Sequence, residues 1–209
     1  MNIIESLQWR YATKKFDSTK ILTQQKIDTL TQAFNLTATS YGLQPLKLVI
    51  IKDKKLQKQL TEHSWNQAQV ADASHVLVFC IENEVGKKYI TKHFDNVKAT
   101  RNTPDEILKP FKEQLVDSFE NKPSEEILNW AAKQAYLAMG NLLTVCAIEQ
   151  IDSCPMEGFI PEKYNEILKL NELGLSSVLV LPIGYRAKDD MFSEFKKVRR
   201  PITDTIINI

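Results

Sequence analysis

"PSEEILNWAAKQAYLAMGNLLTVCAIEQ", residues 123–150, is the stretch from which the architecture can be read. Ser124 can cap a helix, Glu125 and Glu126 put negative charge into its first turn, and the later turns are apolar on nearly every side. A helix of that length and apolarity has to be buried, either at the centre of its own chain or against a second subunit.

Strands and further helices fall in place on either side. Residues 46–52 ("LKLVIIK"), 75–82 ("HVLVFCIE") and 176–185 ("SSVLVLPIGY") are short, apolar runs rich in branched residues, and they read as buried strands. A short first helix carries Ile3, Ile4 and Leu7 on one face. A second follows Thr23 as N-cap, with Ile27, Leu30 and Phe34 on one face, and ends near "TATSYGLQP" (37–45), where Gly42 and Pro45 break regular structure. Further helices are expected over about 54–61, 86–101, 104–119 and 161–170. For the third of these, Thr103 is the expected cap, Pro104 the first helical position and Glu106 the completion of a capping box. Helices outnumber strands, so the expected class is α+β: a small sheet packed against many helices around one long central helix, in one domain spanning 1–209. The tail "ITDTIINI" (202–209) alternates like a strand and is expected to pair with a sheet edge, of its own or of a partner chain.

Composition narrows the function. Hydrophobic residues make up 43% and charged residues 25%, the balance of a folded globular protein. The 27 basic and 26 acidic residues nearly cancel, so no bulk field favours nucleic acid, and any role for cations must come from local clusters. The longest apolar runs, near 76–81 and 177–183, are too short to span a bilayer, and the opening "MNIIESLQWR" lacks the apolar core of a leader. Three cysteines without a C-x-x-C pair, and three histidines in no ligand pattern with them, read as buried thiols rather than a metal site. The expected compartment is the cytoplasm.

The motif inventory is negative. There are only six glycines, no G-x-G-x-x-G and no G-x-x-x-x-G-K-[ST], so a bound phosphate would have to be held by side-chain cations and loop amides. H-E-x-x-H and G-x-S-x-G are likewise absent. Two basic clusters are available, "RYATKKFD" (10–17) and "FKKVRRP" (195–201). Taken singly, each reads as a solvated face.

Their order along the chain says more. "WRYATKKFD", "TSYGLQPLKLVI", "WNQAQVADASHVLVFC", "KQAYLAMGNLL", "CPMEGF" and "FKKVRRP" follow one another in an order that resembles the nitroreductase family of FMN enzymes, in its dihydropteridine-reductase-like branch. The resemblance implies a small, mostly antiparallel sheet surrounded by helices, and a homodimer with FMN at the interface and the C-terminal tail exchanged. It also implies NADH or NADPH as electron donor, with a small-molecule acceptor such as a nitroaromatic or quinone reduced in a ping-pong cycle through flavin N5.

Site residues follow from the same resemblance. Arg10 contacts the flavin phosphate and Lys14 runs along the ribityl chain toward the pyrimidine ring. Tyr11 and Ala12 belong to the same segment, where Ala12 replaces the usual serine and leaves only its backbone for contact. Lys197 and Arg199 form the C-terminal phosphate clamp, whereas Lys15 and Arg200 match no role and are read as solvated. Thr39, Ser40 and Gly42 lie in the loop that reaches a flavin shared with the other subunit. Asn66 lies beside the ring, and Gln69 stands where some relatives carry lysine. Pro155, Met156, Glu157 and Gly158 form the turn whose amides approach N5. Gln134, polar in an apolar helix, either joins this set or satisfies its neighbours. No side chain is expected to act as acid, base or nucleophile; Lys14 and Asn66 tune the flavin, and residues 86–122 shape the acceptor side. The alternatives are another flavin reaction on the same fold (dehalogenation, flavin fragmentation, flavin or pteridine reduction), a non-enzymatic flavin-binding protein, or an interaction module without flavin.

Overall fold

The structure is a computed structural model describing residues 2–209. In chain order its elements are α1 (Ile3–Trp9), α2 (Gln24–Asn35), β1 (Leu46–Ile51), α3 (Lys54–Glu62), α4 (Gln69–Asp72), β2 (His75–Glu82), α5 (Lys87–Arg101) and α6 (Asp105–Glu120). There follow α7 (Ser124–Ile148), β3 (Asp152–Ser153), α8 (Pro161–Ile167) and β4 (Leu175–Gly184). The strands form one four-stranded sheet in the order β1-β2-β4-β3, antiparallel throughout. The α+β expectation is met.

The period-2 alternation of β2 explains its position. Leu77, Phe79 and Ile81 point to one face, with Leu179, Leu181 and Ile183 of β4, and are covered by α2 and by Ala131, Ala135, Ala138, Leu142 and Cys146 of α7. Val76, Val78 and Cys80 point to the other face, where Leu60 of α3, Val70 of α4 and Tyr164 of α8 cover them. With both faces covered, even an antiparallel strand reads as a continuous apolar run. The register slips by one residue between Phe79↔Leu179 and Cys80↔Ser177, leaving Val178 as the extra residue of a bulge.

α7 is the central helix, and alanines on its inner face bring it close to the sheet. It is not buried all round. Tyr136, Leu137 and Ile148 are exposed, with Gly140 between them on the same outer stripe. Ile3, Ile4 and Leu7 of the neighbouring α1 are exposed as well. α5 and α6 form a helical hairpin with a small core of its own, built from Ile90, Phe94, Leu115 and Phe119 with Leu43 and Val85.

Several local expectations are corrected. α6 begins at Asp105 with Pro104 itself in the cap position at φ −60° and ψ 148°, and Thr103 makes no capping box with Glu106. Proline biases the residue before it toward extended backbone, which moves the helix start past Thr103, and Asp105 and Glu106 then supply the first-turn charge. The same shift occurs in α7, where Pro123 is the cap and Ser124 the first helical residue. α8 stops at Ile167, short of 170, because Lys169 takes a left-handed φ of 54° before a 3-10 turn over Leu170–Leu173. The tail does not form a strand: Ile202–Asp204 is a 3-10 turn and the rest is irregular, since alternation alone gives no partner edge. The three cysteines are buried and free, and burial pushes the Cys80 and Cys146 thiols up to about 12, which keeps them protonated and inert.

Candidate functional site

The N-terminal basic segment is held by its backbone. Ala12 forms a parallel bridge with Ser153, and Thr13 N donates to Ser153 O at 3.2 Å. Phe16 bridges Arg186; Asp17 N donates to Tyr185 O at 2.8 Å and Ala187 N to Lys15 O at 2.9 Å. Residues 12–17 therefore extend the edge of the sheet, with Phe16 buried beneath them. Ala12 contributes its backbone pairing and packs its methyl against the second core cluster, so the position works without a hydroxyl.

Two side chains that the sequence did not single out fix this segment. Asp190 Oδ2 accepts from Tyr11 Oη at 2.8 Å, Lys14 N at 2.9 Å and Lys15 N at 3.1 Å. Burial works to raise the Asp190 carboxyl, but the Tyr11 hydroxyl and the amides of Lys15, Lys14 and Phe192 outweigh it and hold the group below its ordinary range. Burial, and then the bond to Asp190, push the Tyr11 hydroxyl up, so it remains a donor. Arg186 pairs with Asp152 at 2.6 Å and stacks over the rings of Trp9 and Tyr11, at 4.3 and 4.6 Å.

Three cations, Arg10, Lys197 and Arg199, are gathered without a counter-charge. Arg10 follows α1 beside Cys146; its Nε is buried and has no hydrogen-bond partner. Lys197 Nζ donates to the carbonyl of Arg10, which brings the C-terminal cluster onto the N-terminal one. Burial, and then repulsion from Arg199, lower the pKa of Arg10; burial, and then Arg10 and Arg199, lower that of Lys197. Among the described residues no carboxylate pairs with Arg10, Lys14, Lys197 or Arg199. Lys15, read as merely solvated, is exposed but paired with Asp189. Like charges held together and left unneutralised give a locally positive surface.

A second group forms around the 154–159 turn. Cys154 N donates to Pro182 O at 3.0 Å and Met156 N to Val180 O at 2.8 Å, so this stretch pairs with β4 before it turns. Pro155 has no N–H and that of Met156 is engaged, which leaves Glu157 and Gly158 as the turn amides able to meet a ligand. A Cβ on Gly158 would come within 2.7 Å of the Trp65 ring and 3.2 Å of Gln67 Nε2, so only glycine lets that indole lie against the turn. Trp65 and Asn66 both have φ of +54°, a left-handed pair that turns the two side chains out, and both are exposed. Tyr136 Oη donates to Glu157 Oε1 at 2.7 Å and ties α7 to the same turn. Gln69, at the start of α4, is buried.

The third group stands apart. Ser40 N donates to Gln134 Oε1 at 2.9 Å, and Gln134 Nε2 donates to Trp130 O at 3.0 Å. Gln134 thus satisfies its neighbours and holds the Thr39–Gly42 loop, in which Tyr41 and Gly42 have φ of 59° and 69°. Gln134 and Cys146, beside Arg10, are twelve residues apart on α7. That spacing is about 18 Å along the axis. One chain therefore brings together Arg10, Lys197 and Arg199, and separately Asn66 and residues 155–158, while Thr39, Ser40 and Gly42 lie at the other end of the helix.

Comparison with known proteins gives the family and the fold. The family model described as "Nitroreductase family" matches residues 7–185. A Staphylococcus aureus protein (strain bovine RF122 / ET3-1) named "Putative NAD(P)H nitroreductase" is 33% identical over 197 residues, covering 90% of this chain and 87% of its own. Two solved structures called "putative nitroreductase" share the fold. That from Bacillus subtilis has a TM-score of 0.88 at 18% identity, covering 99% of this chain and 98% of its own. That from Exiguobacterium sibiricum 255-15, in complex with FMN, has a TM-score of 0.84 at 18% identity, covering 100% and 98%. With a family match across most of its length and a relative covering nine-tenths of it, the chain belongs to the nitroreductase family.

Proposed function

We propose that this protein is an FMN-dependent oxidoreductase that takes electrons from NADH or NADPH and reduces nitroaromatics, quinones or related electron-poor acceptors in two successive half-reactions. The observation that carries this reading is the unneutralised cluster of Arg10, Lys197 and Arg199. The buried, unpartnered Nε of Arg10 makes the same point, because a buried donor without a partner costs stability unless a ligand satisfies it. A phosphate monoester fits such a set, with arginine offering a fork and lysine a point charge. The FMN in the Exiguobacterium neighbour and the NAD(P)H in the name of the Staphylococcus relative support the choice of cofactor and donor.

When bound, FMN supplies the hydride chemistry. The chain's residues bind and orient. Arg10, Lys197 and Arg199 hold the phosphate end. Lys14, whose backbone is fixed while its side chain stays exposed, presents positive charge toward the pyrimidine side of the ring. The exposed Asn66 amide and the Glu157 and Gly158 N–H groups address the polar edge of the ring.

The site is completed by a second copy of the chain. The stripe of Tyr136, Leu137, Gly140 and Ile148 on α7, with Ile3, Ile4 and Leu7 on α1 and Val198, Ile202, Ile206 and Ile207 in the tail, is more exposed apolar surface than a lone chain carries without a partner. In a homodimer these faces cover one another, the tail crosses to the partner, and the Thr39–Gly42 loop of one subunit reaches the flavin of the other. Full-length protein incubated with FMN and desalted is expected to retain flavin stoichiometrically with the chain; a protein that remains colourless contradicts the proposal.

A further inference from the structure

The two cationic segments are almost a full chain apart, and one buried side chain ties the first to the turn that precedes the second. Asp190 is 3% exposed. Its Oδ2 accepts from the Tyr11 hydroxyl at 2.8 Å and from the consecutive amides of Lys14 and Lys15 at 2.9 and 3.1 Å, all in the N-terminal segment. Its Oδ1 accepts from Phe192 N at 3.2 Å and caps the 3-10 turn Met191–Glu194, which leads into Lys197 and Arg199. Phe192, within that turn, and Phe195, just after it, pack their rings 5.2 Å apart.

We propose that Asp190 is the positioning residue that joins the two jaws of the phosphate site, fixing Lys14 and Arg10 on one side relative to Lys197 and Arg199 on the other. The inference rests on the FMN reading above. A buried carboxylate is tolerated only where hydrogen bonds replace its water, and here four donors do so. Two successive amides on one oxygen fix the backbone at Lys14 more tightly than a single contact would. All four donors are uncharged, so Asp190 tethers the segment without neutralising any of the cations a phosphate needs. The neighbouring Lys15–Asp189 pair is exposed at both ends and adds little to this tie. The contact of Lys197 with the Arg10 carbonyl closes the same ring of interactions from the other side.

Comparison of FMN with riboflavin, which lacks the phosphate, tests this directly. Flavin-stripped full-length protein is titrated with each by fluorescence quenching, as wild type, Asp190→Asn and Tyr11→Phe. The wild type is expected to prefer FMN strongly. Asp190→Asn is expected to lose about tenfold or more in FMN affinity, since charge-assisted bonds are replaced by neutral ones. Its riboflavin affinity falls less, by the share that Lys14 contributes at the ring. Tyr11→Phe, which removes one donor and spares the carboxylate, is expected to lose about threefold for FMN and less for riboflavin. An unchanged FMN-to-riboflavin ratio in Asp190→Asn, or equal losses for both flavins, overturns the role of Asp190. If that variant does not fold, an unchanged ratio in Tyr11→Phe does so. A wild type without preference for FMN instead overturns the phosphate jaws themselves.

Discussion

Replacing Arg10 and Arg199 together by alanine is expected to give a folded protein that no longer retains FMN. Each charge-assisted hydrogen bond to the phosphate contributes about 1.5–3 kcal/mol, so losing two raises the dissociation constant about a hundredfold or more. The fold should survive, because neither arginine pairs with a carboxylate among the described residues, and Arg199 is exposed and hydrogen-bonds only to the adjacent Val198 carbonyl. Removing the two also relieves their mutual repulsion, which after burial is the second cause of the lowered pKa of Arg10. The thermal midpoint of the flavin-free variant should therefore equal or exceed that of flavin-free wild type. Equilibrium dialysis against FMN measures the affinity; full occupancy in the double variant rejects the phosphate assignment.

Leu137→Asp is expected to produce monomers and, with them, a loss of flavin. Leu137 is 55% exposed on the outer stripe of α7, while its neighbours Ala135, Ala138 and Met139 face the core, so the substitution leaves the interior intact. In a two-fold interface one substitution counts twice, placing two unpaired carboxylates in apolar surroundings. Each costs several kcal/mol unless it escapes to water, which separation of the subunits allows. The Thr39–Gly42 loop, about 18 Å along α7 from Arg10, would then no longer complete the partner's site. Sedimentation of the variant beside wild type decides: a Leu137→Asp dimer with full flavin contradicts the interface, as does a monomeric wild type.

The elements visible in the sequence were those whose signal is local. β2 and β4 declare themselves because both of their faces are covered, which leaves no polar position to interrupt the run. The helical reading of 123–150 was sound, with one face of the helix buried against the sheet and the other exposed in the single chain. The two basic clusters were legible as motifs a few residues long, and the family resemblance is what assigns them to one proposed site. What holds them was not. Asp190 meets Lys14 across 176 residues and Arg186 meets Asp152 across 34, and no local pattern announces a contact of that kind. β3, at two residues, is too short to read. Within the single chain the tail is not a strand, because alternation gives a strand only where an edge is available and none pairs with it among the described residues. Gln134 could be flagged as a polar residue in an apolar helix, but its task of holding the Ser40 amide appears only in three dimensions.

The central claim is that this chain carries electrons from a nicotinamide nucleotide to an electron-poor acceptor through a flavin held by Arg10, Lys197 and Arg199. Anaerobic stopped-flow mixing of the flavin-loaded protein with NADH and, separately, NADPH tests it most directly. The account predicts that at least one of them bleaches the oxidised-flavin absorbance, and that a quinone or nitroaromatic added afterwards restores it. A flavin band that neither nucleotide bleaches would contradict it.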